Sequence, residues 1–273
     1  MLDLIKKELT FHNIELCSFL PLSECVVTRP DKVSRCGFDG EKKLSVIIFA
    51  IPYYSKGDEK NISSYAIPRD YHLFCKDLFA SILPKLEQMF KGYQFYGFAD
   101  NSPIDERNAA AKAGLGMIGD NGMLITEKYS SYVFLAEIIT DLPFDHASVD
   151  NAEIKHCEHC CACINACPMK IEGLECLSAV TQKKGELSEV EKRYIIKYGS
   201  AWGCDICQEV CPHTLSAKAS GTIYSPIGFF NADLTPRLST SLIEEMSDAE
   251  FSERAYSWRK KETILRNLKL FDK

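Results

Sequence analysis

The chain has 273 residues, 46% of them hydrophobic, and a formal net charge of −6. That length and apolar share suffice to bury a core in one large or two modest domains, and the negative balance excludes a global attraction to nucleic acid, leaving only local basic patches for such a role. No stretch approaches the roughly 18 apolar residues that cross a bilayer, and the opening MLDLIKKELTFHNIEL has charges where a signal peptide has its apolar centre. A cytoplasmic protein without membrane association is expected. In chain order, residues 1–20 read as an amphipathic helix, and the β-branched run KLSVIIFAIPYY (43–54) as a buried strand. Residues 71–90 repeat apolar side chains at helical spacing, with Pro84 as a break or kink. A short strand at YQFYGFA (93–99), a small helix at ERNAAAKAG (106–114) and strands at GMLIT (122–126) and YVFLAEIIT (132–140) follow. Strands and helices mix without regular βαβ alternation, which predicts an α+β fold. The expected division is an α+β domain over 1–149, a cysteine-rich domain over 150–216 and closing helices over 217–273.

Thirteen cysteines are too many for a disulfide framework in a reducing compartment, and an odd total cannot pair completely within one chain. Metal ligation is the better default. Cys17, Cys25, Cys36 and Cys75 are scattered without ligand spacing and read as small buried hydrophobes. The other nine lie between Cys157 and Cys211. Among them Cys157, Cys160, Cys163 and Cys167, followed by Pro168, reproduce C-x2-C-x2-C-x3-C-P, the bacterial ferredoxin run for a [4Fe-4S] cubane, whose fourth cysteine serves a neighbouring cluster. A second set completes the pair: Cys204, Cys207 and Cys211-Pro212 match the end of the pattern, with the displaced first member at Cys176. The spacing therefore assigns Cys157, Cys160, Cys163 and Cys211 to one cubane and Cys167, Cys176, Cys204 and Cys207 to the other. Cys161 is left over as a bystander. Zinc is the competing reading, since paired C-x2-C units also make tetrahedral sites, although zinc needs neither the triple repeat nor the Cys-Pro ending.

GLGMIG (114–119) satisfies the dinucleotide fingerprint G-x-G-x-x-G. It lacks the required strand before and helix after, so it reads as a loop in which backbone comes close to a bulky neighbour.

Four stretches together, YAIPRDYH (65–72), DNSPIDERNAAAKAGLGMIGDNGMLI (100–125), YVFLAEIITDLPF (132–144) and the two cysteine sets with CLSAVTQ between them, resemble the epoxyqueuosine reductase family. The resemblance implies a corrinoid-handling α+β domain beside a ferredoxin-like one. It also implies cobalamin and two [4Fe-4S] clusters as cofactors, and reduction of epoxyqueuosine to queuosine in tRNA as the activity. An external electron donor of flavodoxin or ferredoxin type and a monomeric state complete that expectation. It places the proton donor at Asp100 and cobalamin contacts at Arg35, Asp100, Leu124, Leu135, Ser178 and Asp205. From the residues alone, Asp100 is equally a turn former or cap, Leu124 and Leu135 core, Ser178 and Asp205 capping groups, and His72 a structural hydrogen-bonding residue. The chain departs from the family's pattern at Asp120 and Ser64, where members often carry a lysine and an arginine, and it is expected to be a short form without the C-terminal HEAT-like repeat. Arg254, Arg259, Lys260, Lys261, Arg266 and Lys269 flank Trp258 and offer a substitute contact for phosphates, or simply a solvated basic face. Two alternatives stand beside the favoured activity: a corrinoid and iron-sulfur reductase of a non-RNA substrate, like the reductive dehalogenases, and a non-catalytic electron carrier.

Overall fold

The computed structural model describes residues 1–57, 59–144, 153–169 and 176–272; the expected boundary at 149/150 lies outside them. Among the described residues no helix is long and apolar enough to cross a membrane. The chain forms two compact units, one of Met1–Pro52 with Phe74–Cys160, the other of Tyr53–Leu73 with Cys161–Lys273.

The first unit is built on a four-stranded sheet. Helix α1 (Leu2–Phe11) precedes strand β1 (Leu16–Pro21), helix α2 (Pro30–Arg35) and strand β2 (Ser45–Pro52). Helix α3 (Tyr71–Met89), strand β3 (Phe95–Ala99) and helix α4 (Glu106–Lys112) lead to the short strands β4 (Met117–Ile118) and β5 (Leu124–Ile125) and then to β6 (Val133–Thr140). The sheet order is β1-β2-β6-β3, antiparallel throughout. This is an α+β arrangement, as the absence of regular βαβ alternation predicts. All eight residues of the central β2 are buried, which is why its sequence is continuously apolar rather than alternating. Ala109, Ala110 and Ala111 of α4 share a core with Leu20, Val46, Ile48 and Ile139, their small side chains letting the helix lie close to the sheet. Each fully buried isoleucine there contributes on the order of 2 kcal/mol of apolar transfer.

Two local expectations change. The helix expected over 1–20 ends at Phe11, because Asn13 takes the left-handed conformation (φ 60°) while the Ile14 N–H reaches back to the Leu9 carbonyl, freeing Leu16–Pro21 to pair with β2. Helix α3 runs unbroken through Pro84, which removes one rung of its hydrogen-bond ladder without ending it. The GLGMIG segment is a turn after α4 that runs into strand β4 of the β4–β5 ribbon. A Cβ on Gly116 would lie 2.3 Å from the Ile125 carbonyl oxygen, so a close backbone approach and not a phosphate explains that glycine.

The second unit is helical: α5 (Ala162–Ala166), α6 (Leu177–Gln182), α7 (Glu189–Tyr198), α8 (Ile206–Glu209), α9 (Pro212–Ser220), α10 (Thr240–Glu245), α11 (Asp248–Ser252) and α12 (Lys260–Leu268). Its core centres on Trp202, fully buried with Ile62, Ile67, Tyr256 and Ile264, and the indole N–H donates to the Tyr65 hydroxyl at 2.8 Å. Asn61 ties the early segment of this unit to the late one, donating to the Leu238 carbonyl and accepting from its N–H, both at 2.8 Å.

Candidate functional site

The Asp100 turn is held from several sides of the first unit. Strand β3 ends at Ala99, paired with Ala136, so Asp100 leaves the sheet at the level of Leu135 on the neighbouring β6. Its backbone is left-handed (φ 59°), a conformation that Asp and Asn tolerate better than other side chains with a Cβ. Arg29 and Lys32 donate to the side-chain and main-chain oxygens of the next residue, Asn101. Glu106, in the first turn of α4, accepts from the Asp100 N–H at 3.3 Å.

Behind that turn lies a carboxyl pair that the sequence reading did not single out. Glu137 on β6 has no exposure, and the Ser102 hydroxyl donates to its Oε1. Burial, and then the facing Glu106 carboxyl, hold Glu137 well above the ordinary carboxylate range. Burial pushes Glu106 up to about 7, against the pull of its hydrogen bonds to Glu137 and the Asp100 N–H. One signal was available: Glu137 is the lone charge inside the apolar run YVFLAEIIT.

The cysteines enter through the β4 segment. Residues 155–157 run beside β4, the Ile118 N–H donating to the Lys155 carbonyl at 2.9 Å and the Cys157 N–H to the Ile118 carbonyl at 3.1 Å. That pairing sets Cys157 near Asp120, whose Oδ1 lies 2.7 Å from Nδ1 of His159. One donor atom each of Asp120, Cys157 and His159 lies within 4.8 Å of the others, a grouping able to hold a cation and one that the cysteine spacing alone did not suggest. Since Cys157 also opens the ferredoxin run, a mononuclear ion there and a cubane would compete for one sulfur.

In the second unit, α5 carrying Cys163 packs on α8 carrying Cys207. Cys167 and Cys204 pack against the apolar cluster of Met169, Leu177, Val180, Leu187 and Ile195. A Cβ on Gly203 would lie 2.4 Å from that of Ser63, so the glycine lets the chain enter Cys204 flush against that residue. Burial, opposed by the Ile206 N–H and reinforced by the sulfurs of Cys176 and Cys207 and the Asp205 carboxylate, holds the Cys204 thiol up at about 12. A thiol whose ionisation burial and two neighbouring sulfurs oppose is one that a bound cation would favour as thiolate. Cys161 is exposed and takes the left-handed conformation at the N-terminus of α5. Of the scattered cysteines, Cys17, Cys36 and Cys75 are buried and Cys25 is partly so.

The other sequence candidates separate clearly. Leu124 is buried in the first unit's core, and Leu135 is partly exposed beside the same cluster. Arg35 lies at the surface and pairs with Asp31 at 3.0 Å. Ser178 on α6 accepts from the Gln182 side-chain amide at 3.0 Å. Asp205 is buried: Lys60 reaches its carboxylate at 2.6 Å, the Ser64 N–H at 2.7 Å, and the Ser63 hydroxyl also donates to it. His72 pairs through Nδ1 with Asp70 at 2.8 Å, a structural contact. On the basic segment, Arg254 donates to the Asp233 carbonyl, Lys261 to that of Met246 and Arg266 to that of Lys183, while the Arg259 guanidinium stacks 3.8 Å from the ring centre of exposed Trp258.

The family model described as Epoxyqueuosine reductase QueG, DUF1730, matches residues 40–101. An epoxyqueuosine reductase of Gloeobacter violaceus is 31% identical over 221 residues, covering 76% of this chain and 68% of the relative. The fold is that of an epoxyqueuosine reductase from Streptococcus thermophilus (TM-score 0.78, 23% identity, 99% of this chain and 80% of the other). It is also that of an epoxyqueuosine reductase solved with an epoxyqueuosine-modified tRNA-Tyr stem loop (TM-score 0.74, 22% identity, 99% and 81%). With a relative 31% identical over 76% of this chain and 68% of its own length, this chain belongs to the epoxyqueuosine reductase family.

Proposed function

We propose that this chain reduces epoxyqueuosine to queuosine in tRNA, removing the epoxide oxygen with protons and with two electrons supplied through bound redox cofactors. The observation that carries the reading is family membership in a chain that retains all eight cluster cysteines together with Asp100. Cys157, Cys160, Cys163 and Cys211 would hold one [4Fe-4S] cluster, and Cys167, Cys176, Cys204 and Cys207 the other; an all-thiolate donor set suits iron-sulfur clusters. For cobalamin, the half-buried Leu135 and the Asp100 turn at one end of the sheet supply an apolar wall and an acid. Leu124 backs the wall from within the first unit's core, and the resemblance adds Ser178, whose hydroxyl accepts from Gln182 within the second unit. The surface position of Arg35 and the engagement of Asp205 by Lys60 favour supporting roles for those two.

When bound, the clusters carry single electrons and the corrinoid supplies a strongly reducing centre for C–O cleavage. The protein's own work is to position and protonate. Asp100 delivers a proton to the oxygen released from the ring, so that a neutral hydroxyl and not an alkoxide leaves the reacting carbon. The turn fixed by Arg29, Lys32 and Glu106 holds that carboxyl in place. Electrons come from an external donor of flavodoxin or ferredoxin type.

The test is nucleoside analysis of tRNA from the source organism lacking this gene. Accumulated epoxyqueuosine that disappears on complementation supports the activity; unchanged queuosine overturns it. Turnover of an epoxyqueuosine-modified stem loop by the iron- and cobalamin-loaded protein gives the direct measurement.

A further inference from the structure

The Glu106–Glu137 pair has no explanation in sheet packing. Glu137 sits in the middle strands of the first unit with no exposure, and its Oε2 is buried with no hydrogen-bond donor. A carboxylate oxygen in that position forfeits the hydrogen bond it had to water unless a proton lies between it and a neighbour. The group facing it is the Glu106 carboxyl, itself an acceptor unless protonated. Two carboxyls in contact with one orphaned acceptor make one hydrogen bond if they hold one proton between them, and repel if they hold none. The other charged and titratable groups around the pair are few: Lys32 of α2, Cys25 with Glu24 and Lys112 beside it, and Asp100 and Asp105 next to Glu106. None of them donates to the orphaned oxygen. Glu106 is partly exposed, so the pair has a route to solvent, and its other oxygen, Oε1, holds the Asp100 N–H.

We propose that Glu106 and Glu137 share a single proton, and that this pair acts through Asp100, both fixing its turn and restoring its proton after each turnover. This rests on the reading of Asp100 as the acid. Once the Asp100 O–H has broken to protonate the released oxygen, Asp100 is a carboxylate. The Glu106 O–H then breaks as a new Asp100 O–H forms, leaving two carboxylates, and a proton from solvent restores the pair. No electrons move in these steps. Both glutamates are positioning residues, since neither touches the substrate.

The experiment is infrared difference spectroscopy of the complete protein across a pH titration, with ¹³C-labelled glutamate to assign the carboxyl band. The wild type should show one protonated glutamate carboxyl per chain that titrates near pH 7. Glu106→Gln and Glu137→Gln should each abolish that titration, whereas Asp100→Asn should keep it. In turnover, Glu106→Gln, whose amide oxygen can still accept from the Asp100 N–H, should slow later turnovers relative to the first by about tenfold or more, with a changed pH profile. Absence of any glutamate titration between about pH 5 and pH 9 in the wild type overturns the shared proton even if both variants fail to fold. A Glu106→Gln enzyme with the wild-type pH profile overturns the relay. Full turnover by Asp100→Asn would remove the acid and the relay, and the spectroscopic result for the pair would stand apart from it.

Discussion

The Lys60 ammonium lies 2.6 Å from the Asp205 carboxylate, with only 19% of the lysine side chain and 2% of the aspartate's exposed. Glu209 takes the same ammonium from its other side at 2.7 Å, and the Asp205 oxygens also accept from Ser63 and Ser64. Burial alone would lower the lysine pKa; the Asp205 charge and hydrogen bond, then those of Glu209, more than offset it. Removing one member strands the other. Asp205→Ala should destabilise the protein by about 3 kcal/mol, and Lys60→Met by a similar amount, with a double-mutant cycle showing strong coupling. Urea midpoints at matched iron content provide the measurement.

The cluster assignment predicts a stepwise loss of iron. The anaerobically purified protein should contain about eight irons, and Cys204→Ala or Cys207→Ala should reduce that to about four. Cys161→Ser should leave iron unchanged. Iron analysis with paramagnetic resonance after dithionite reduction checks all three; one or two zincs in place of iron would refute the cubanes.

Asp100→Asn is a clean substitution because asparagine also tolerates the left-handed backbone that Asp100 adopts at φ 59°. The turn should survive and the acid should not. Single-turnover reduction should slow by about 10²- to 10⁴-fold with stem-loop affinity unchanged. A rate near that of the wild type would remove Asp100 as the acid.

The same buried pair makes stability depend on pH. Glu106 is raised from 4.5 to about 7, so between those values the unfolded chain releases a proton that the folded chain keeps. The unfolded state then binds fewer protons, and stability falls as pH rises through that window, levelling off above the folded value. The loss should be on the order of 1–3 kcal/mol, and Glu106→Gln should flatten the curve. Thermal melts from pH 4.5 to pH 7 and above decide this.

Gly116→Ala should harm folding more than its size suggests. The added methyl would meet the Ile125 carbonyl at 2.3 Å, and that oxygen is backbone in the β4–β5 ribbon and cannot swing aside. A loss of about 3 kcal/mol or more is expected, read as a drop in soluble yield and melting temperature.

What the sequence made legible was decided by how local the cause was. The strand at Ser45–Pro52 could be read because burial on both sides writes a continuous apolar run, and the short helix at Glu106–Lys112 because Asp105 caps it with a hydrogen bond to the Asn108 N–H. The end of α1 was missed because the apolar spacing continues past it into Leu16–Pro21; only Asn13 marks the stop. The cysteine sets stand out in the sequence because ligand spacing is a property of short loops. The Asp120–His159 contact and the Glu106–Glu137 pair were not legible, since each joins residues roughly thirty to forty apart, the first through the pairing of residues 155–157 with β4 and the second through the packing of α4 on β6, which no local pattern encodes. The basic segment near Trp258 looked like a free charged face, yet Arg254, Lys261 and Arg266 are spent on main-chain carbonyls, a use that composition does not reveal.

The polypeptide passes between its two compact units after Pro52, again inside α3 between Leu73 and Phe74, and a third time after Cys160. Neither half is therefore a contiguous stretch of gene. A clone cut near the start of the cysteine run would carry the 53–73 excursion away from Trp202 and Leu238, stranding the Asn61 and Tyr65 groups that those residues satisfy. Shuffling either half onto another scaffold would require splicing at three junctions, so natural recombination is expected to have moved this pair as one piece.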